Sequence, residues 1–336
     1  MPKRIAINGF GRIGRAAFKI AFSKEGVKIV AINDLTDTKT LAYLLQYDSV
    51  YNRYHNEVEY DENNLIVDGQ KIPVYKEKDP ALLPWKKMKV DVVMECTGVF
   101  ETKIDLQKHL DAGAKRVVLS SPSKDKDVQT LVFGTNITEK VIGKNQPIVS
   151  NASCTTNCIA PVMQILSDKF GIEKALMTTI HAYTATQRLV DSPDPKDLRR
   201  GRAGAINIVP STTGAAKALY QVVPEVNGIF DGIAVRVPVP CGSLSDIVAV
   251  LKKEVTVEEV NKAFVDYAKK AMYKGIVGVT GDNDELVSSD LLGTNLSTVV
   301  DLKFTRVVGG NLVKVLAWYD NEWGYSNRLV EMALEI

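Results

Sequence analysis

Cysteine, histidine, long apolar runs and excess charge are all scarce in this chain of 336 residues, and each scarcity excludes a class of protein. The four cysteines, Cys96, Cys154, Cys158 and Cys241, are too few for a secreted disulfide framework. They also lack the paired spacing of a zinc site, so no metal is expected. Only His55, His109 and His181 can serve chemistry that needs imidazole. Apolar stretches such as Val248–Leu251 fall far short of the roughly 18 residues of a membrane span, and Met1–Asn8 leads into a strand pattern without a signal-peptide core. A soluble, cytoplasmic protein is the expectation, with no membrane partner. Lys and Arg total 42 against 40 Asp and Glu, a net charge of +2, which gives no polyelectrolyte a reason to bind; nucleic acid is not expected.

The length suits about two domains. In the first half, β-rich runs at Arg4–Asn8 and Lys28–Asn33 flank a helical pattern at Gly11–Ser23. Further strand runs at Val90–Glu95, Arg116–Ser120, Thr130–Gly134 and Ile148–Ser150 alternate with helical patterns at Thr38–Tyr47 and Thr102–Ala112. This βαβ rhythm predicts a mostly parallel sheet covered on both faces. Glu57–Lys76 reads as an antiparallel insertion, its Asp68-Gly69 pair suited to a primed hairpin turn. From Cys154 the strands lengthen and alternate, at Leu176–Tyr183, Gly232–Val239, Leu244–Lys252, Val299–Val308 and Val313–Trp318, around a helix at Val257–Met272 capped by Thr256 and Glu259. The fold class is thus α/β: a Rossmann-type parallel domain, then an α+β domain with a large mixed or antiparallel sheet. Gly324–Ile336 reads as a terminal amphipathic helix, and Thr184–Asn207 as a loop long enough to serve a site or an interface, or simply a solvated surface loop.

Gly9, Gly11 and Gly14 hold the G-x-G-x-x-G spacing between a strand and a helix, and Asp34 ends the next strand. Gly9 permits the tight turn, Gly11 admits a pyrophosphate to the backbone, and Gly14 lets helix approach strand. Asp34 would accept hydrogen bonds from the adenosine ribose and repel a 2′-phosphate, which favours NAD over NADP. The competing reading is a packing turn without a ligand.

A polar cluster, Ser150–Cys158, leads from a strand into a helical pattern, and a thiol at a helix N-terminus is expected to have a lowered pKa, which makes Cys154 the candidate nucleophile. Pro161 is expected to kink or interrupt that helix. Cys158 and Cys96 read as packed thiols. His181, at a strand end, is the candidate base by elimination, because His55 lies in a polar surface-like stretch and His109 in a helical pattern. Thr184, the Ser211-Thr212-Thr213-Gly214 turn and Arg236 could hold phosphate groups. For Arg236 an ion pair with Asp246 is the alternative.

The segments AINGFGRIGR (Ala6–Arg15), NASCTTN (Asn151–Asn157), HAYTATQ (His181–Gln187), STTGAAK (Ser211–Lys217), RVPVP (Arg236–Pro240) and WYDNEWGYSN (Trp318–Asn327) closely resemble the phosphorylating, NAD-dependent glyceraldehyde-3-phosphate dehydrogenases over the whole length. The resemblance implies a glycolytic enzyme that oxidises glyceraldehyde 3-phosphate through a cysteine hemithioacetal and thioester, with inorganic phosphate as acyl acceptor. It implies Arg12 and Ile13 at the pyrophosphate, Asp34 at the ribose, Thr97 and Ser120 in the cofactor cleft, and Asn321 at the nicotinamide amide. It further implies Thr184 and Arg236 at the substrate phosphate, and Ser153, Thr155, Thr213 and Gly214 at the attacking phosphate. An NAD-binding domain of residues 1–153 and 321–336, a catalytic domain of 154–320, and a homotetramer with the Thr184–Asn207 loop at an interface complete the expectation. Pro195 and Cys241 stand where many members carry histidine and asparagine or aspartate. Erythrose-4-phosphate dehydrogenases, with water as acceptor, share the cysteine segment but usually lack the HAYTATQ and TTGAAK forms. A non-catalytic nucleic-acid or surface-binding role would rest on Arg199, Arg200 and Arg202 alone.

Overall fold

Alternating short strands and helices occupy the first half of the chain, and longer strands the second. The computed structural model describes residues 1–144, 146–195 and 197–336, so Lys196 of the expected loop lies outside the described residues. The first half runs β1 (Lys3–Asn8), α1 (Arg12–Phe22), β2 (Val27–Asn33), α2 (Thr38–Gln46), β3 (Tyr47–Asp48), β4 (Asn52–Arg53), β5 (Val58–Tyr60), β6 (Asn64–Val67), β7 (Gln70–Tyr75), α3 (Trp85–Met88), β8 (Val92–Glu95), α4 (Lys103–Asp111), β9 (Arg116–Leu119), β10 (Gln129–Thr130), α5 (Asn136–Val141) and β11 (Ile148–Ser150). The second runs α6 (Cys154–Phe170), β12 (Ile172–Ala182), β13 (Val209–Thr212), α7 (Ala215–Val222), β14 (Phe230–Val237), β15 (Ser243–Leu251), α8 (Val257–Ala268), β16 (Val277–Val279), β17 (Thr298–Val308), β18 (Leu312–Tyr319) and α9 (Trp323–Glu335). The chain divides into two units, one of Met1–Leu131, Val141–Ala152 and Ser326–Ile336, the other of Val132–Lys140 and Ser153–Tyr325.

The first unit is built on a sheet of order β10-β11-β9-β8-β1-β2-β7-β6-β5. β1 lies at its centre and pairs in parallel with β2 on one side and β8 on the other. Its apolar run Ile5, Ala6 and Ile7 is fully buried because a parallel strand is covered on both faces. The strand order reverses direction between β1 and β8, the kind of switch point that leaves a crevice at the carboxyl ends of the strands. Two sequence expectations change here. The Glu57–Lys76 segment does form an antiparallel meander, and Asp68 and Gly69 both take positive φ (48° and 75°) as a primed turn requires. It is no separate insertion, however: β7 pairs in parallel with β2 and extends the main sheet. The strand expected at Thr130–Gly134 stops at Thr130, because Thr135 and Thr138 hydroxyls bond Val132 and pull the chain into a tight turn closed by Gly134 at φ 79°.

The second unit carries a seven-stranded mixed sheet, order β13-β14-β12-β15-β18-β17-β16. β15 alternates buried and half-buried residues along its length, so one face meets a core. That core is α6, which packs on β12, β15, β17 and β18. The interruption expected at Pro161 does not occur; α6 runs unbroken for 17 residues. Proline in a helix interior costs about 3 kcal/mol. Ile159, Val162, Met163, Ile165 and Leu166 are all fully buried, and at about 1.5–3 kcal/mol each their burial outweighs it. The helix expected to reach Met272 ends at Ala268 and gives way to a 3₁₀ turn at Ala271–Tyr273.

Steric demand at the β1–α1 turn is severe. A Cβ on Gly14 would sit 2.1 Å from the Gly9 carbonyl oxygen, whereas one on Gly11 would meet nothing within 4 Å. Gly14→Ala is therefore expected to destabilise the chain by about 1–3 kcal/mol through forced separation of helix and strand, and Gly11→Ala by much less. Calorimetric melting of the two variants checks this; equal effects would contradict the close-packing account.

Candidate functional site

In the first unit, the ends of β1, β2 and β8 open onto a cleft of about 500 Å³ lined by Asn8, Gly9, Gly11, Asp34, Cys96 and Thr97. Gly9 stands at φ 89°, and a Cβ there would lie 2.7 Å from the Thr97 nitrogen, so the glycine loop and the β8 end abut. Asp34 is locked by its own loop: Oδ2 accepts from the Phe10 N–H at 2.7 Å and Oδ1 from the Thr36 N–H at 3.0 Å. Each carboxylate oxygen retains a lone pair for a diol. Gly11 is the N-cap of helix α1 and offers no capping side chain, and Ile13 lies in the first turn. The open space above Gly11, the uncapped helix start and the fixed carboxylate fit an adenine dinucleotide.

Arg12 is turned onto Asp48 at 2.8 Å, with Tyr51 beneath its guanidinium. Cys96, expected in the core, is partly exposed and lines the cleft; desolvation, reinforced by neighbouring Glu95, pushes its thiol pKa up. Ser120 follows β9, its N–H donating to the Glu95 carbonyl at 2.9 Å. Beneath the cleft lies a buried network absent from the sequence reading. Glu95 accepts from the Thr97 N–H at 2.7 Å and from Asn8, and lies 3.1 Å from His109 Nε2. Trp85 Nε1 donates to His109 Nδ1 at 2.9 Å, which leaves the His109 proton on Nε2, facing Glu95.

In the second unit, α6 begins at Cys154. Ser153 caps it, Oγ accepting from the Thr156 N–H at 3.1 Å, and Ala152 just before takes a left-handed φ of 55°, a conformation costing a non-glycine residue roughly 1–2 kcal/mol. The cap and the turn leave the Cys154 Sγ 3.5 Å from His181 Nε2, on β12. β14 runs parallel to β12 with Arg236 in register with His181. Its Nη1 lies 2.6 Å from His181 Nδ1 and 3.0 Å from the Ala182 carbonyl oxygen. The Arg236–Asp246 pair considered from sequence does not form; Asp246 is held by Lys314 at 2.7 Å.

The electrostatics revise one expectation. Burial raises the Cys154 pKa despite the Arg236 charge and the Thr155 hydroxyl and N–H that oppose it. Burial and then the Arg236 charge lower His181 to about 3. Burial thus opposes ionisation of both groups, where the sequence had suggested a thiol favoured as thiolate by the helix start.

Around this pair, Thr155 Oγ1 and Thr179 Oγ1 share the Tyr319 hydroxyl at 3.1 and 2.7 Å, and the Tyr319 ring meets the His181 ring edge-on with centroids 6.0 Å apart. Sequence reasoning missed Tyr319; its only signal was its place within the WYDNEWGYSN segment. Thr184 Oγ1 bonds Thr186 Oγ1 at 2.9 Å. Thr213 Oγ1 accepts from the Ala215 N–H at 3.2 Å, and Gly214 opens α7 with no capping side chain. Arg200 donates to Ser211 Oγ at 3.1 Å, and its charge depresses the Arg236 pKa, behind burial as the main cause. Arg202 pairs with Asp191, so two members of the basic cluster have local partners. Asn321 Oδ1 is occupied by the Gly242 N–H at 3.1 Å and the Ser243 hydroxyl at 2.9 Å, with Cys241 Sγ 3.7 Å away. Cys158 is buried among Ser245, Thr298 and the Ala317 carbonyl, as a packed thiol. Among the described residues no group of three or more His, Cys, Asp or Glu could hold a metal ion.

Residues 3–103 match the family described as glyceraldehyde 3-phosphate dehydrogenase, NAD binding domain, and residues 153–321 match the corresponding C-terminal domain. The chain is similar to the glyceraldehyde-3-phosphate dehydrogenase of Thermotoga maritima, 53% identical over 98% of this chain and 97% of the relative. It is 51% identical to that of Streptomyces coelicolor, over 99% of this chain and 98% of the relative. With glyceraldehyde-3-phosphate dehydrogenase 1 of Bacillus subtilis it shares 50% identity over the full chain and 98% of the relative.

Iodoacetamide is expected to label Cys154, which stands at a helix start beside His181, ahead of the buried Cys158 and Cys241 and of Cys96, whose thiol neighbouring Glu95 helps to push up. In the ligand-free chain the rate should climb steadily between about pH 6 and 9 as the thiol ionises. Peptide mapping of the adduct and the pH profile check both points; an acid-side plateau would mean that a thiolate–imidazolium pair exists at rest.

Proposed function

The chain belongs to the glyceraldehyde-3-phosphate dehydrogenase family, and from that premise we propose how its own residues carry out the oxidation of glyceraldehyde 3-phosphate to 1,3-bisphosphoglycerate, a glycolytic step. The observation that supports the assignment most is the 3.5 Å approach of Cys154 Sγ to His181 Nε2 at the start of a buried helix. Cys154 attacks the aldehyde carbon; its proton reaches the carbonyl oxygen by way of His181, giving a hemithioacetal. The Cys154 N–H, at the helix start, steadies the oxygen as it gains charge. Bound NAD supplies the hydride acceptor. As hydride leaves carbon, His181 takes the hydroxyl proton and Cys154 holds the acyl group as a thioester. Inorganic phosphate, seated by Ser153, Thr155, Thr213 and Gly214, attacks that carbonyl, the acyl phosphate leaves, and the sulfur recovers its proton from His181.

The substrate phosphate sits on Thr184 and Arg236, with Arg200 as a second cation nearby; a guanidinium fork matches a phosphate bidentately. Gly11, Arg12 and Ile13 carry the pyrophosphate on a turn that Gly9 and Gly14 make possible, Asp34 the ribose, and Thr97 and Ser120 the cleft wall. With its Oδ1 already accepting two bonds, Asn321 offers its amide N–H to the nicotinamide carboxamide. Residues 1–153 with 321–336 form the nucleotide-binding domain, and 154–320 the catalytic one.

The working protein is a cytoplasmic homotetramer. Its support is apolar surface that a single chain leaves open: Leu176, Ile233 and Leu312 on the outer face of the seven-stranded sheet, and Leu189, Val190 and Leu198 on the Thr184–Asn207 loop. Among the described residues no helix is long and apolar enough to cross a membrane.

The acyl acceptor separates this reading from erythrose-4-phosphate oxidation. Sustained NADH formation from glyceraldehyde 3-phosphate is expected only when inorganic phosphate is supplied. Undiminished turnover in phosphate-free buffer would make water the acceptor and withdraw the attacking-phosphate site.

A further inference from the structure

Two strand ends meet at the nucleotide cleft, and one buried carboxylate holds both. Glu95 ends β8 with no exposure to solvent. Its Oε1 accepts from the Thr97 N–H at 2.7 Å and from the Thr97 hydroxyl, while Oε2 accepts from the side-chain amide of Asn8, the last residue of β1. The remaining lone pair of Oε2 faces His109 Nε2 at 3.1 Å. Both neighbours pass the constraint on. The Thr97 nitrogen abuts Gly9, where a Cβ would come within 2.7 Å, and the Thr97 hydroxyl accepts from the Val99 N–H at 3.1 Å. Asn8 Oδ1 accepts from Asn33 on β2 at 2.7 Å. His109, on α4, is itself fully buried and does not line the cleft. Its ring is set from behind by Trp85 on α3: an indole N–H can only donate, and it donates to Nδ1 at 2.9 Å, so the ring proton on Nε2 is aimed at Glu95.

We propose that His109 is a positioning residue for NAD: by completing the hydrogen bonding of Glu95 it keeps Asn8 and Thr97, and with them the glycine turn and the facing cleft wall, at the separation the dinucleotide requires. The proposal rests on the reading of this cleft as the NAD seat with Thr97 in its wall. Without the His109 N–H, Oε2 loses one of its two donors in a place with no solvent exposure. The carboxylate must then turn toward another donor or take up a proton, and a protonated oxygen donates where it had accepted. Either change falls on the bonds to Thr97 and Asn8. Cys154 and His181 belong to the second unit and share none of these bonds, so cofactor affinity is the property that depends on His109.

Three variants of the intact protein separate positioning from plain stability. His109→Leu removes both ring nitrogens, whereas glutamine in His109→Gln can still offer an oxygen to Trp85 and an N–H to Glu95. Trp85→Phe opens a cavity in the same core but leaves the Nε2–H on Glu95. Calorimetric titration with NAD is expected to show binding at least about tenfold weaker in His109→Leu, a loss of about 1.4 kcal/mol, and within about threefold of the wild type in the other two. Trp85→Phe should nevertheless melt at a lower temperature. In His109→Leu the KM for NAD should rise while kcat at saturating NAD stays within about twofold, and iodoacetamide should label Cys154 of the ligand-free protein at the wild-type rate. Unaltered NAD binding in His109→Leu, or an equal loss in Trp85→Phe, would overturn the positioning role. A wild type that fails to bind NAD would instead withdraw the nucleotide reading itself. Should the leucine variant not fold, ¹⁵N-histidine NMR of the wild type still decides, the His109 signals being assigned by their loss in His109→Gln: Nε2–H is expected, and a proton on Nδ1 would overturn the proposal.

Discussion

The start of α6 is the constraint on which the reacting centre depends. A helix that began one residue later would carry Cys154 off its first turn and away from the His181 imidazole. Three features fix the start. Ala152 is held in a left-handed turn, Ser153 satisfies the Thr156 N–H, and the body of the helix is buried so completely that a proline in its middle does not break it. Strain at Ala152 is small beside that burial, so the fold tolerates a costly turn where the chemistry needs one.

The sheet of the second unit supplies the counterpart. β12 and β14 run parallel and in register, which sets His181 beside Arg236, and β18 lies next to β15 so that the Tyr319 hydroxyl reaches both Thr155 and Thr179. One tyrosine thereby ties the helix start to the histidine strand. In the first unit a comparable tie lies under the glycine loop, where Glu95 binds Asn8 from β1 and Thr97 after β8. Both ties join segments of the candidate sites to strands that cannot move without unzipping a sheet.

What the sequence disclosed, and what it hid, follows from the range of the interactions. The glycine motif was legible because its demands are local: Gly14 meets the carbonyl of Gly9, five residues back. The Asp68-Gly69 turn and the Thr256 capping box were legible for the same reason. The continuity of α6 through Pro161 was not, since it follows from burial against four strands that come later in the chain. Nor was Tyr319, 164 residues from the threonine it binds, or the choice of Arg236 for His181 over Asp246, which depends on which neighbour each strand face meets. The thiol misled in another way: helix polarity is visible in a sequence, whereas the desolvation that opposes it appears only when the site is folded. Family resemblance implied residue roles that spacing alone left open, and those of Thr97, Ser120 and Asn321 are carried as proposals.

The account stands most directly on Cys154 carrying the acyl group. The intact protein, mixed with glyceraldehyde 3-phosphate and NAD in phosphate-free buffer and quenched in acid, can be weighed by mass spectrometry and its adduct mapped to a peptide. The account predicts one phosphoglyceroyl group per chain, on Cys154, discharged when inorganic phosphate is added before the quench. NADH release with no adduct, or an adduct on Cys96, Cys158 or Cys241, would contradict it.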